Sequence, residues 1–247
     1  MRTMEVKVYS FEELSEKSKA TVIEKNRDIN VDYEDWAECL LDEWKAKLAR
    51  IGFHEAEISY SGFSSQGDGA CFDARHYDIP ELAAAVYSGK DEGFQRELLT
   101  LLAEDFSIKI EKNSFGHHYS HARTRYISLD KGDLGIYEDE INLILSADLE
   151  HVPPMIAKYD VPCDDPQGSV SRLSGLVALR LKYAAQPTNL DNLLDLFEKH
   201  AEELRERLSN EIYRELEKDY ESLVSDESVI ETINLNEYEF DESGDMI

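Results

Sequence analysis

A run of histidines, HHYSH, provides the side chains in this sequence that are best suited to bind a metal. In a helix, His117 and His121 would share one face at positions i and i+4, a spacing that lets two imidazoles coordinate one divalent ion. The flanking residues favour a strand or loop instead. An acidic third ligand is not identifiable nearby, although His76 with Asp73 or Asp78 could contribute from elsewhere. We therefore treat His117 and His121 as weak metal candidates and predict no cofactor.

The short motifs typical of nucleophilic and phosphate-transfer enzymes are absent. The run SGFSSQ, residues 61–66, lacks the second glycine of the G-x-S-x-G elbow. The run GDG at 67–69 is too short to cradle phosphates, and no G-x-x-x-x-G-K-[ST] occurs. The three cysteines form no CxxC pair, and Cys71, beside a turn, is interpreted as a buried small hydrophobe. We predict no catalytic residue and a protein that is not an enzyme.

Negative charge dominates the composition of the chain. Its 247 residues include 53 Asp and Glu against 26 Lys and Arg, a formal net charge of -27. This balance argues against direct binding of nucleic acid, which needs clustered basic residues, and against docking on an anionic membrane. No segment reaches the roughly 18 apolar residues of a membrane-spanning helix, and no secretory signal is visible at the N-terminus. The sequence therefore predicts a cytoplasmic protein.

The acidic residues gather toward the C-terminal end. Residues 221–247 contain nine acidic side chains and no Lys or Arg, whereas residues 106–128 contain four basic side chains and one acidic one. Because duplex DNA carries about one phosphate charge per 1.7 Å, a charge of -27 corresponds to roughly 13 to 14 base pairs. A protein that presents such charge on one face can occupy a basic groove in place of nucleic acid. An acidic surface can also serve solubility alone, so both interpretations stay open.

The hydrophobic pattern predicts an α+β fold, with an antiparallel, hairpin-built sheet flanked by helices and a long C-terminal helix. We expect strands at 5–9, 55–60, 70–74, 108–111, 123–129 and 238–240. We expect helices at 11–27, 32–52, 80–87, 93–106, 170–185, 189–224 and 226–233. The run GFSSQGDG supplies the turn of the first hairpin, because its glycines tolerate positive φ.

The predicted domain organisation depends on a proline-rich stretch. Four prolines between Pro153 and Pro166 make residues 151–168 a linker or loop, which separates an α+β domain at 1–150 from an acidic helical region at 169–247. This helical region is expected to pack on the first part. Apolar residues recur at steps of three, four or seven along the 189–224 helix. That stripe could pack on the sheet or form a homodimer.

Several segments identify a resemblance to a known family. They are residues 9–15 (YSFEELS), 59–72 (SYSGFSSQGDGACF), 220–227 (YESLVSDE) and 236–240 (NEYEF). In these segments the chain resembles a phage and prophage family whose members are widely labelled as the antitoxin of a toxin–antitoxin stability system. The likeness covers about residues 5–75 and 210–243, with an echo at 116–121. The resemblance implies a phage-encoded protein that acts in the bacterial host cell.

The polarised charge and the resemblance together favour a non-catalytic inhibitor of host defence. Its target would be a basic nucleic-acid-handling protein, such as a CRISPR–Cas, restriction or related nuclease, which it would bind as a nucleic-acid mimic. The predicted contact residues, here called the tail surface, are Asp226, Glu227, Glu231, Glu237, Tyr238, Glu239, Phe240, Asp241 and Glu242. Tyr238 and Phe240 would be its aromatic anchors. The alternatives are an antitoxin that sequesters a toxin through the 189–224 helix, and a metal-dependent enzyme or sensor that uses His117 and His121.

Overall fold

The computed structural model describes residues 7–113, 120–152, 154 and 169–247, except for the side chains of Glu34, Ser169 and Val170. The helices within these residues are α1 (Glu16–Lys25), α2 (Glu38–Ala49), α3 (Ile79–Val86), α4 (Gly93–Leu101), α5 (Glu138–Ser146), α6 (Ser169–Tyr183), α7 (Leu190–Leu223) and α8 (Asp226–Leu235). The strands are β1 (Tyr9–Ser10), β2 (Phe53–His54), β3 (Glu57–Ser61), β4 (Gly69–Asp73), β5 (His76–Tyr77), β6 (Ser107–Lys112), β7 (Arg125–Asp130) and β8 (Glu239–Phe240).

The α+β class, the antiparallel pairing and the long C-terminal helix are confirmed. Both predicted hairpins form, as the pairs β3–β4 and β6–β7, and the short pairs β1–β8 and β2–β5 are antiparallel as well. Within the described residues these pairs are separate two-stranded ladders and do not form one continuous sheet. Side chains bridge some of them instead: the hydroxyl of Tyr77 accepts a hydrogen bond from the Ile110 amide at 2.8 Å, and Arg125 Nε donates to Asp73 at 2.8 Å.

The chain forms two compact units. Unit 1 comprises residues 1–42 and 213–247, and unit 2 comprises residues 43–212. The predicted linker lies largely at 153 and 155–168, outside the described residues, so the domain division at 151–168 stays a prediction.

Unit 1 is built on a small apolar core between its N-terminal and C-terminal segments. Helices α1 and α8 pack together, and β1 pairs with β8. The side chains of this core are Phe11, Leu14, Val22, Val229, Ile233 and Phe240. The sequence pattern predicted one helix from residue 11, but the Ser10–Glu13 capping box closes a 3-10 turn instead. Helix α1 then begins at Glu16, because Ser15 Oγ accepts the Ser18 amide as its own N-cap.

Helix α7 begins where its sequence predicts, with the side chain of Asn189 accepting the Asn192 amide at 2.8 Å. Most of its apolar stripe is buried by the chain itself, including Leu193, Phe197, Leu204, Leu208, Ile212 and Leu216. This burial shows that most of the stripe packs within the chain, and the homodimer and the toxin contact along this helix stay predictions. No described helix, the 34-residue α7 included, is both long and apolar enough to cross a lipid bilayer.

Candidate functional site

Helix α8 turns two carboxylates of the tail surface away from the core of unit 1. Ser225 caps the helix by accepting the Ser228 amide at 3.3 Å. Val229 and Ile233, four residues apart, are fully buried. Glu227 and Glu231 also lie four residues apart, but they are displaced by two positions, which corresponds to about 200° around the helix. Both are exposed, so their carboxylates face solvent on one side of α8.

In the segment after α8, successive side chains of the strand point to opposite sides, so the acidic ones face solvent and the aromatic ones face the core. Glu239 is exposed on β8, whereas the next side chain, Phe240, has 0% exposure and belongs to the core. The prediction that Phe240 anchors a partner is therefore wrong, because the ring has no accessible surface and instead supports the strand from beneath. Tyr238 is half-buried against the same core. Glu237 is exposed with φ of 53°, and Glu242 is exposed beyond the strand.

Two carboxylates of the tail surface already have partners within the chain. Arg27 Nη2 lies 2.8 Å from Asp226 Oδ1, and this contact raises the pKa of Arg27. Asp241 Oδ1 accepts hydrogen bonds from the Ser243 hydroxyl at 2.6 Å and from the amides of Asp245 at 2.9 Å and Ser243 at 2.8 Å, which together lower its pKa. Arg27 was not predicted, because the tail and the N-terminal segment lie far apart in the sequence. The β1–β8 pairing that joins these segments spans more than 200 residues and leaves no local signal.

Five carboxylates of the tail surface remain with neither an ion pair nor a side-chain hydrogen bond to any described residue. This set, here called the glutamate quintet, consists of Glu227, Glu231, Glu237, Glu239 and Glu242. One member, Glu242, lines a pocket of about 340 Å³. Glu13 lies on the same pocket and is held by hydrogen bonds from Ser10 that lower its pKa. Glu13 and Glu242 thus border the same pocket.

The structure describes one member of the predicted metal pair. His117 lies outside the described residues, and His121 has extended backbone angles, φ -141° and ψ 167°. The ring of His121 accepts the Arg123 amide through Nδ1 at 3.2 Å and so caps the turn that leads into β7. His121 is therefore not in a helix, so it does not have the backbone conformation that the i, i+4 metal pair requires.

The run SGFSSQGDGACF has a structural role. Asp68 Oδ2 accepts the amides of Ser64 at 2.9 Å and Ser65 at 2.6 Å, which closes the turn between β3 and β4. A Cβ on Gly69 would lie 2.4 Å from the Cβ of His121, so only glycine fits there. Cys71 is 1% exposed, as its interpretation as a small hydrophobe predicted. The run thus brings the first hairpin against the base of the histidine-bearing loop.

Comparison with known proteins gives a match to a family model. Neither a curated protein sequence nor a solved structure matches the chain. The matched residues include β2–β7 and α2–α5 but none of the tail surface. Over residues 36–152, which are less than half of its length, the chain is similar to a family described as a domain of unknown function, DUF8835.

Proposed function

We propose that this is a non-catalytic acidic inhibitor, encoded by a phage, that acts in the cytoplasm of the bacterial host. It binds a basic nucleic-acid-handling defence protein, and the glutamate quintet occupies part of the groove that normally holds phosphates. The observation that carries the proposal is the quintet itself: exposed carboxylates, without described ion-pair partners, in a unit whose basic residues Arg27 and Lys25 pair with other acids.

A contribution to the stability of the fold does not explain why these five carboxylates lie where they do. Like charges within one small unit repel one another and destabilise the compact state. Glu237 adds backbone strain, because its φ of 53° lies in the left-handed region that glycine adopts at lower cost. These residues neither fill the core nor pair with described cations, and a contact outside the chain would give them a role.

The chemistry of the surface defines the class of partner. Exposed carboxylates select Lys and Arg, and the pocket between Glu13 and Glu242 can receive one such side chain. The half-buried Tyr238 offers apolar area beside the charges. Because exposed ion pairs are screened by salt, complex formation should weaken steeply as ionic strength rises.

The test compares two variants with the same loss of charge. The first neutralises the quintet through Glu227→Gln, Glu231→Gln, Glu237→Gln, Glu239→Gln and Glu242→Gln. The control neutralises five exposed acids of unit 2 that also lack described ion pairs, through Glu43→Gln, Asp91→Asn, Asp133→Asn, Glu140→Gln and Asp195→Asn. Each protein is used to capture partners from bacterial lysate at moderate salt. Each is then tested for displacement of labelled duplex DNA from purified restriction and CRISPR nucleases, by fluorescence anisotropy.

We expect the wild type and the control to capture the same basic protein and to displace its DNA, and the quintet variant to lose both activities. Equal displacement by the quintet and control variants would show that net charge alone is responsible. Failure of the wild type to displace DNA from any captured or purified nuclease would reject nucleic-acid mimicry.

A further inference from the structure

Three metal-ligating side chains converge in unit 2, away from the tail surface. His54 lies at the end of β2, Asp78 is the N-cap of α3, and Glu81 lies in the first turn of α3. One ligand atom from each lies within 4.8 Å of the other two. His54 Nε2 and Glu81 Oε2 are 3.2 Å apart. The sequence pattern suggested Asp78 only with His76 and not this trio, because a non-local strand pairing brings its members together.

The backbone holds the trio in place. The Asp78 amide donates to the Gly52 carbonyl at 3.0 Å, which fixes the start of α3 against the turn before β2. Gly52 has φ of 93°, and a Cβ there would lie 2.5 Å from the Asp78 carbonyl oxygen. Asp78 Oδ1 accepts the Glu81 amide at 2.8 Å, so the two acidic residues are oriented relative to each other. This cap engages one carboxylate oxygen of Asp78 and leaves the second for another ligand.

We infer that His54, Asp78 and Glu81 form a binding site for a divalent transition metal such as Zn²⁺. Ligand bonds of about 2.0–2.2 Å in a tetrahedral sphere place donor atoms roughly 3.3 Å apart. The His54–Glu81 distance of 3.2 Å matches this spacing, and a ligand atom of Asp78 lies within 4.8 Å of both. One imidazole with two carboxylates suits Zn²⁺ or Mn²⁺ better than Mg²⁺, which prefers oxygen ligands alone.

The surroundings favour a cation at this position. The side chains of His54 and Glu81 are 40% and 46% exposed, so an ion can enter from solvent and retain water in the fourth position. The net charge of -27 also raises the local concentration of cations. Because that field attracts cations to every exposed carboxylate, a specific site must be distinguished from diffuse binding.

The experiment is a calorimetric titration of the full chain with ZnCl₂ in the presence of excess Mg²⁺, which occupies the diffuse carboxylate sites. We expect the wild type to bind a single Zn²⁺ saturably. His54→Ala and Glu81→Gln should each weaken this binding by about tenfold or more, because each removes a ligand. Asp78→Asn should weaken binding as well, while it retains the helix cap, since Asn caps as well as Asp.

The matched control is His76→Ala, which removes the histidine that pairs with His54 across β2 and β5 but leaves the trio intact. This variant should bind Zn²⁺ as the wild type does. The inference is overturned if the wild type shows no saturable binding, if His54→Ala or Glu81→Gln binds as tightly as the wild type, or if His76→Ala loses as much affinity. Glu81 is exposed, so its variant reports on the site even if His54→Ala fails to fold.

Discussion

The two units use charge in opposite ways. In unit 2 several charged side chains lie inside the fold: Arg180 and Arg205 have 0% exposure and Asp105 has 5%. In unit 1 the glutamate quintet lies on the surface and has no ion-pair partner among the described residues. A buried charge is tolerated only when it is paired and hydrogen-bonded, whereas an exposed one costs little to keep or remove. Charge in unit 2 should therefore matter for stability, and charge in the quintet for binding.

Arg205 shows how unit 2 accommodates a buried cation. Its guanidinium donates from Nε and Nη2 to the two carboxylate oxygens of Glu202, at 2.8 and 2.6 Å. Nη2 also donates to the Ala122 carbonyl at 2.8 Å, and Glu202 accepts the Ile127 amide at 2.8 Å. The network thereby joins α7 to β7 and to the turn before it. Such a network holds elements in one register only while all of its members remain present.

The largest expected effect comes from Arg205→Met, which keeps the length of the side chain and removes its charge. Glu202 and the Ala122 carbonyl would lose the guanidinium as a donor, and Glu202 would keep only the Ile127 amide, so we expect a destabilisation of about 3–5 kcal/mol in urea denaturation. The matched control is Arg207→Met on the same helix, where the side chain is 66% exposed and the change should stay within about 0.5 kcal/mol. Similar losses for the two variants would contradict the contrast between buried and exposed charge.

A second expected effect concerns the contact between the first hairpin and the histidine-bearing loop. Gly69→Ala would place a methyl group 2.4 Å from His121 Cβ and 2.9 Å from its Cα, so the loop base must move. Overpacking of this kind costs about 1–3 kcal/mol. Gly135→Ala is the control, since no atom lies within 4 Å of its added Cβ. Thermal unfolding that shows equal stability for both variants would refute the structural role of Gly69.

The sequence predicted best where the determinants are local. The hairpin at 57–73 was predicted correctly because its turn residues and both of its strands are adjacent in sequence. The helix cap at Asn189 is likewise a local signal. Helix α5 was missed, although three acids in its first turn followed by Ile141, Ile144 and Leu145 carry the expected pattern. The burial of Phe240 and the Arg27–Asp226 pair depend on contacts across nearly the whole chain, and no periodicity in the sequence encodes them.

Tyr137→Phe removes a single hydrogen bond to Asp105, a buried acid of unit 2, and so is a smaller change than Arg205→Met. The Tyr137 hydroxyl donates to Asp105 Oδ1 at 2.7 Å, and Arg172 Nε lies 2.7 Å from Asp105 Oδ2. Loss of one hydrogen bond to a buried charge should cost about 1.5 kcal/mol in denaturant unfolding at neutral pH, because Arg172 still pairs with Asp105. A cost below that of the exposed Arg207→Met would show that Asp105 does not need its hydroxyl partner.

The same variant has a defined pH dependence. Burial, together with the hydrogen bond to Asp105, raises the pKa of Tyr137 from 10.0 to about 12. Above pH 10 the unfolded chain releases this proton while the folded chain keeps it, so folding loses stability as the pH rises. The advantage of the wild type over Tyr137→Phe should therefore be full below about pH 10 and should decline toward pH 12. A constant difference across this window would contradict the assignment.

The smallest expected effect concerns two adjacent acids of unit 1, one with hydrogen-bond partners in the chain and one without an ion pair to any described residue. Asp241→Ala removes the acceptor of the turn amides, whereas Glu242→Ala removes a quintet carboxylate that has no described ion pair. Calorimetry at neutral pH should show a lower melting temperature for Asp241→Ala than for Glu242→Ala.

The turn bonds lower the pKa of Asp241 below its ordinary 3.8, so their stabilisation is present above that pH and is lost as the pH falls below it. The deficit of Asp241→Ala should therefore shrink in acid. An equal deficit for Glu242→Ala at neutral pH would mean that the quintet also stabilises the fold. The exposed carboxylates would then need no external partner, and the proposal of an acidic inhibitor would lose its main support.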